Sequence, residues 1–192
     1  MSAIDLLRSL NGVDTDSLEP LQRVLLTSDG TLTEILEAAS LERIQLIKVS
    51  QQLTAANTHH PLLSGSKEPL LERKILLRGT KSGKNYAYAE SFIAIERLAP
   101  EFREKLVNSN IPLGRLWLEY RLETFKELRD MRCQSANELC SYFGCAGTSP
   151  LLVRAYQVFS ATEPIIAITE YFPASYRTKN ADEEEIVLGS GI

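Results

Sequence analysis

The chain has 192 residues, 21 Lys and Arg against 25 Asp and Glu, a formal net charge of -4, and 44% hydrophobic and 24% charged residues. That balance is ordinary for a globular domain, and with no long basic stripe it argues against a nucleic-acid surface. No apolar run approaches the ~20 residues of a membrane span, and Asp5 interrupts the N-terminus where a secretory signal would be apolar. Cys133, Cys140 and Cys145 include no CxxC pair, so free thiols in a reducing cytoplasm are expected. The length suits one well-cored domain over residues 1–192.

Residues 3 to about 26 read as two helices, the second capped by Ser17 with Pro20 in its first turn. After the Thr27–Gly30 turn, Thr31-Leu32-Thr33-Glu34 has capping-box spacing and opens a helix through Ala39. Alternation predicts a strand over Ile44–Leu53, and Asn57–Pro69, with His59 and His60, is polar loop without metal-ligand spacing. A strand at Leu71–Leu77 and another at Tyr86–Ile95 flank the hairpin Gly79–Asn85. That Gly-Lys stretch lacks phosphate-loop spacing, and a strand rather than a helix follows it.

Pro100 starts a helix to about Asn108, and Asn110–Gly114 is a tight turn before a helix ending near Tyr120. Leu122–Arg132 fits helix or strand. Ser135-Ala136-Asn137-Glu138 is a second capping box, for a helix ending at Gly144. Strands at Leu151–Phe159 and Ile165–Phe172 follow, joined by the Ser160–Pro164 turn, and the tail from about 178, with Asp182–Glu185, is expected to be solvated. Hairpin order with intervening helices implies an α+β domain, its mostly antiparallel sheet covered by helices on one side.

Side chains alternate across a strand, so Leu71, Arg73, Ile75 and Leu77 share one face and only Arg73 is charged. A guanidinium aimed into a core is costly unless an anion meets it. In the last strand Glu170 shares a face with Ile166, Ile168 and Phe172. Glu90 lies with Tyr86, Tyr88 and Phe92, and Arg154 with Leu152, Tyr156 and Val158. Two readings stay open: a buried ion pair of Arg73 with Glu170 or Glu90, or a closed ligand pocket. Trp117 reads as core packing, the Tyr86, Tyr88 and Phe92 aromatics as cross-strand packing, and no Ser or Cys sits in a nucleophile elbow.

Five motifs in order carry a family likeness: Ser28–Glu34, Glu72–Leu77, Tyr86–Ser91, Pro112–Arg115 and Thr169–Pro173. Over about Leu21–Tyr176 the chain resembles the chorismate pyruvate-lyases, most closely the branch found in cyanobacteria and in actinobacteria that make phenolic glycolipids. The resemblance implies removal of pyruvate from chorismate to leave 4-hydroxybenzoate, with no cofactor or metal, in an antiparallel sheet with helices and flaps burying the site. It makes Leu122–Arg132 a strand. It implies Arg73 on the ring carboxylate, the Leu113 backbone beside it, Glu170 at the hydroxyl end, and Leu32 at a flap position that is methionine in the best-known relatives. Chorismate has two carboxylates, and Arg78, Arg115, Arg154 and Lys48 are candidates for the second. The product would feed a plastoquinone- or ubiquinone-type head group or a phenolic glycolipid. The competing expectation is a non-catalytic aromatic-acid sensor of the same fold, as in the effector half of some transcription regulators. Against it, the chain is expected to have no N-terminal room for a winged helix-turn-helix and no basic face.

Overall fold

Apolar alternation builds the strands and tight turns fold them back on their neighbours. The computed structural model describes residues 3–8, 15–54, 68–174 and 176. Its strands are β1 (Ile44–Leu53), β2 (Leu71–Gly79), β3 (Asn85–Ile93), β4 (Phe125–Ser135), β5 (Pro150–Ser160) and β6 (Glu163–Pro173). They form one sheet in the order β1-β2-β3-β6-β5-β4, each pairing antiparallel. Helices α2 (Pro20–Thr27), α3 (Leu32–Ser40), α4 (Pro100–Asn108) and α5 (Leu113–Tyr120) cover one face, and α1 (Ala3–Arg8) packs on α2. The short α6 (Cys140–Phe143) lies on the other face, where Tyr142 stacks on Tyr88. The expected α+β class with an antiparallel sheet is what the chain adopts.

Local signals differ at two places and are resolved at a third. Glu19, not Ser17, precedes α2, and Gln22 Oε1 accepts the Glu19 N–H at 2.7 Å, while Ser17 closes a 3-10 turn. Ser135 ends β4 instead of capping a helix, and a 3-10 turn at Asn137–Leu139 leads into the single turn of α6. Pairing with β5 settles Phe125–Ser135 as strand, a tertiary partner deciding what local pattern left open. Residues 55–67, with His59 and His60, and the acidic run Asp182–Glu185 lie outside the described residues.

The helix-covered face carries two apolar clusters. Leu25, Leu26 and Leu36 from α2 and α3 meet Leu77, Ala87, Leu152 and Phe172. Phe102, Leu106 and Leu116 from α4 and α5 meet Leu71, Ile93, Val158 and Ile166. Each fully buried large side chain contributes roughly 1.5–3 kcal/mol. The clusters occupy the two ends of the strands, and the strand middles lie between them. There the register aligns Arg73 with Ser91, Ser91 with Ile168, and Ile168 with Tyr156; the next row aligns Ile75, Ala89, Glu170 and Arg154. Ala89 and Ser91 are short, so the sheet is hollow at its centre.

Candidate functional site

Arg73 stands in that hollow. Its side chain is on the predicted face and it is 2% exposed. Nε and Nη2 are buried with no hydrogen-bond partner, and among the described residues no ion pair reaches it. Burial alone pushes its pKa down, to about 10, so it stays charged near neutrality. The expected structural pair with Glu170 or Glu90 is therefore not formed. Glu90 lies on the opposite face of the sheet, opposite Lys74 in the register and 3.8 Å from its Nζ. Glu170 has another partner.

That partner is Arg154, directly across from it in the β5–β6 register. Arg154 Nε donates to Glu170 Oε2 at 2.5 Å, and Tyr156 Oη donates to Oε1 at 2.9 Å. Arg154 also donates to the Ser28 carbonyl at 3.0 Å. Both charges are buried, Arg154 3% and Glu170 4% exposed. Burial opposes the Arg154 charge, but the adjacent carboxylate outweighs it and raises the pKa. Tyr156 is raised well above its ordinary value, first by burial and then by Glu170. Glu170 is thus fixed at both oxygens, and it lines the cavity. Two strand spacings and a two-residue offset separate Arg73 from Glu170, about 12 Å between Cα atoms, which suits a six-membered ring with a polar group at either end.

Two helix N-termini close the hollow. Leu32 is the first residue of α3 and Leu113 the first of α5, and both line the cavity with Gly30, Thr31, Pro112 and Gly114. First-turn N–H groups have no acceptor within their own helix, and a helix N-terminus favours an anion. At both positions it is the backbone, not the leucine side chain, that offers polarity. The cavity measures about 70 Å³ by the positions open to a water centre, several times the ~10–15 Å³ one water requires.

Other candidates go elsewhere. Arg78 Nε donates to Asn85 at 2.8 Å, Arg115 Nη2 to Glu37 at 2.6 Å, and Lys48 Nζ to the Val107 carbonyl at 3.0 Å. The Gly79–Asn85 hairpin binds its own anion: Glu42 accepts the Lys81 and Ser82 N–H groups at 2.8 and 3.0 Å. Sequence reasoning missed Lys126 on β4, which lines the cavity; Trp117 packs against the second apolar cluster as expected and lines the cavity as well. Lys126 Nζ donates to the Asp29 and Gly30 carbonyls at 2.6 and 3.3 Å and lies 5.5 Å from the ring centroids of Trp117 and Tyr156. Trp117 Nε1 is buried without a partner. Among the described residues lining the cavity, the orphaned polar side-chain atoms are all donors. Such a lining suits an acceptor-rich, anionic ligand.

The comparisons agree in kind. The family model described as chorismate pyruvate-lyase Rv2949c-like matches residues 26–179. A chorismate pyruvate-lyase of Mycobacterium leprae is 31% identical over 184 residues, 92% of this chain and 85% of the relative. One of Mycobacterium tuberculosis is 30% identical over 171 residues, 85% of this chain and 84% of the relative. Both fall on the actinobacterial side of the expected branch. The solved effector domain of PhnF from Mycobacterium smegmatis superposes with a TM-score of 0.59 at 13% identity, covering 78% of this chain and 91% of that one, a likeness of fold alone.

Proposed function

Since the chain belongs to the chorismate pyruvate-lyase family, we propose that it removes pyruvate from chorismate and releases 4-hydroxybenzoate. The observation that carries this reading is the unpaired Arg73 guanidinium, buried in a cavity that two helix N-termini close. Arg73 grips the ring carboxylate bidentately, and the backbone N–H groups of Leu113 and Leu32 complete its hydrogen bonds. Glu170, fixed by Arg154 and Tyr156, accepts the hydrogen bond of the ring hydroxyl at the far end. The ether C–O bond breaks and a ring hydrogen moves to the departing enolpyruvyl carbon. Ring aromatisation supplies much of the driving force, so the protein's part is to orient the dianion and exclude water. No metal or cofactor enters this scheme. The product would serve a quinone head group or a phenolic glycolipid.

Incubation of purified protein with chorismate, following 4-hydroxybenzoate and pyruvate together, tests the reading. Equimolar release of both is expected; folded protein that yields neither refutes it. The second reading is an aromatic-acid sensor, favoured by the fold shared with an effector domain. It predicts tight 4-hydroxybenzoate binding with chorismate unchanged.

A further inference from the structure

We propose that Lys126 Nζ and the indole N–H of Trp117 receive the second carboxylate of a dianionic substrate, the one on the side chain that leaves. This rests on the reading of chorismate as substrate and assigns a partner to the carboxylate that Arg73 does not hold. Of the four cations considered for it, Arg78 and Arg115 are bonded to Asn85 and Glu37, and Arg154 is taken by Glu170. Lys48, near enough to Arg73 to feel its charge, is bonded to the Val107 carbonyl and, unlike Lys126, does not line the cavity.

Position comes first. The Tyr156 ring that lies under Lys126 Nζ carries the hydroxyl bonded to Glu170, so the ammonium sits at the Glu170 end of the cavity, away from Arg73. In chorismate the enol ether is on the ring carbon next to the hydroxyl-bearing one. With the ring carboxylate on Arg73 and the hydroxyl on Glu170, the side-chain carboxylate must fall at this same end. Lys126 and Trp117 also border the outer recess of about 620 Å³ formed with Asp29, Arg121 and Phe125, where a leaving group has room.

Chemistry comes second. An ammonium has three donors, and the two carbonyls that Lys126 meets take two of them, one at the long distance of 3.3 Å. Burial lowers the Lys126 pKa, with Glu170 and Asp29 opposing and Arg154 reinforcing the change. A carboxylate arriving beside it restores what desolvation removes. Trp117 Nε1 adds a donor that nothing among the described residues uses, on a ring already fixed against the ammonium.

The test compares wild type with Lys126→Met, Lys126→Arg and Trp117→Phe, reading KM and kcat for chorismate and Kd for 4-hydroxybenzoate by calorimetry. The product lacks the second carboxylate and so serves as the internal control. Lys126→Met should raise the chorismate KM by about tenfold or more, the effect of losing a charge-assisted hydrogen bond, with the product Kd changed by less than about twofold. Lys126→Arg should recover most of the loss, and Trp117→Phe, which keeps the ring, should raise KM a few-fold. An unchanged KM, or equal loss of both ligands, overturns the inference, because a lysine that only latches the Asp29–Gly30 loop gives those results. If wild type binds chorismate without turnover, the lyase reading falls and the ratio of the two Kd values still decides the subsite. If it binds neither ligand, both fall.

Discussion

Replacing Arg73 with Met separates a clamp from a structural charge. The depression of its pKa from 12.5 to about 10 corresponds to about 3 kcal/mol of cost for keeping the folded, ligand-free protein charged there. Since no carboxylate among the described residues partners Arg73, removing it strands no buried anion there. Met fills similar volume without donors, so Arg73→Met should be stabilised by about 1–3 kcal/mol. At roughly 2–4 °C per kcal/mol for a chain of this size, Tm should rise by several degrees. Binding should respond in the opposite direction. A bidentate guanidinium–carboxylate contact contributes about 1.5–3 kcal/mol per hydrogen bond, so 4-hydroxybenzoate Kd should rise by two orders of magnitude or more. Urea melts of both proteins, with and without product, read both quantities. A broken structural pair would instead cost about 3–5 kcal/mol, and a loss of that size in the ligand-free variant refutes the clamp.

Arg154→Leu should cost about 3–5 kcal/mol by leaving Glu170 unpaired, and Arg154→Leu with Glu170→Leu should recover most of that without recovering product binding; a double variant no more stable than the single would contradict the pairing. Gly114→Ala places a Cβ 2.5 Å from Thr31 Cγ2 and 3.2 Å from Thr31 Cβ. Because Thr31 leads α3, the N-termini of α3 and α5 should be pushed apart, at about 1–3 kcal/mol, and stopped-flow product release should accelerate; unchanged Tm and release rate would show that the two helix ends do not need this contact. Ser82, through its hydroxyl and then its N–H, together with the Lys81 N–H and the Tyr86 hydroxyl, holds the Glu42 carboxyl at about 2, below its ordinary 4.5. The folded value is the depressed one, so this stabilisation is complete above pH 4.5 and is lost as pH falls toward 2. Glu42→Gln should therefore lose less Tm than wild type across that window in a pH series of thermal melts.

Arg73 was legible because alternation is local: one charge in a row of Leu and Ile identifies itself. Glu170 was placed on the right face for the same reason. Its partner was not legible, because the β3-β6-β5 order that sets Arg154 across from Glu170 is a property of distant pairing. Lys126 was hidden by its surroundings. β4 is an edge strand, and Phe125-Lys126-Glu127-Leu128-Arg129-Asp130 has little buried apolar rhythm to show which way the lysine points. Trp117 read as core and does pack on the Leu116 cluster, but one helical position turns a side chain by about 100°, which also brings it to the cavity wall, a second role that packing alone does not signal. The run Ala87, Ala89, Ser91 on one face of β3 was a readable signal, since small residues in successive inward positions leave space.

The charges of the cavity bear on what it holds. Arg154 and Glu170 cancel as a buried pair, so the net field comes from Arg73, Lys126 and the two helix N-termini. One aromatic carboxylate satisfies Arg73 and leaves Lys126 on its two carbonyls. A ring with a second carboxylate near its hydroxyl engages both cations. If the two proposals hold, the cavity would match a dianion better than a monoanion, through a group at the end where cleavage would separate the second charge from the ring. On the proposed lyase reading, the aromatic product would retain the Arg73 contact and lose the Lys126 contact after cleavage. On that reading such an asymmetry would ease product release, while leaving the cleavage barrier to interactions made only in the transition state.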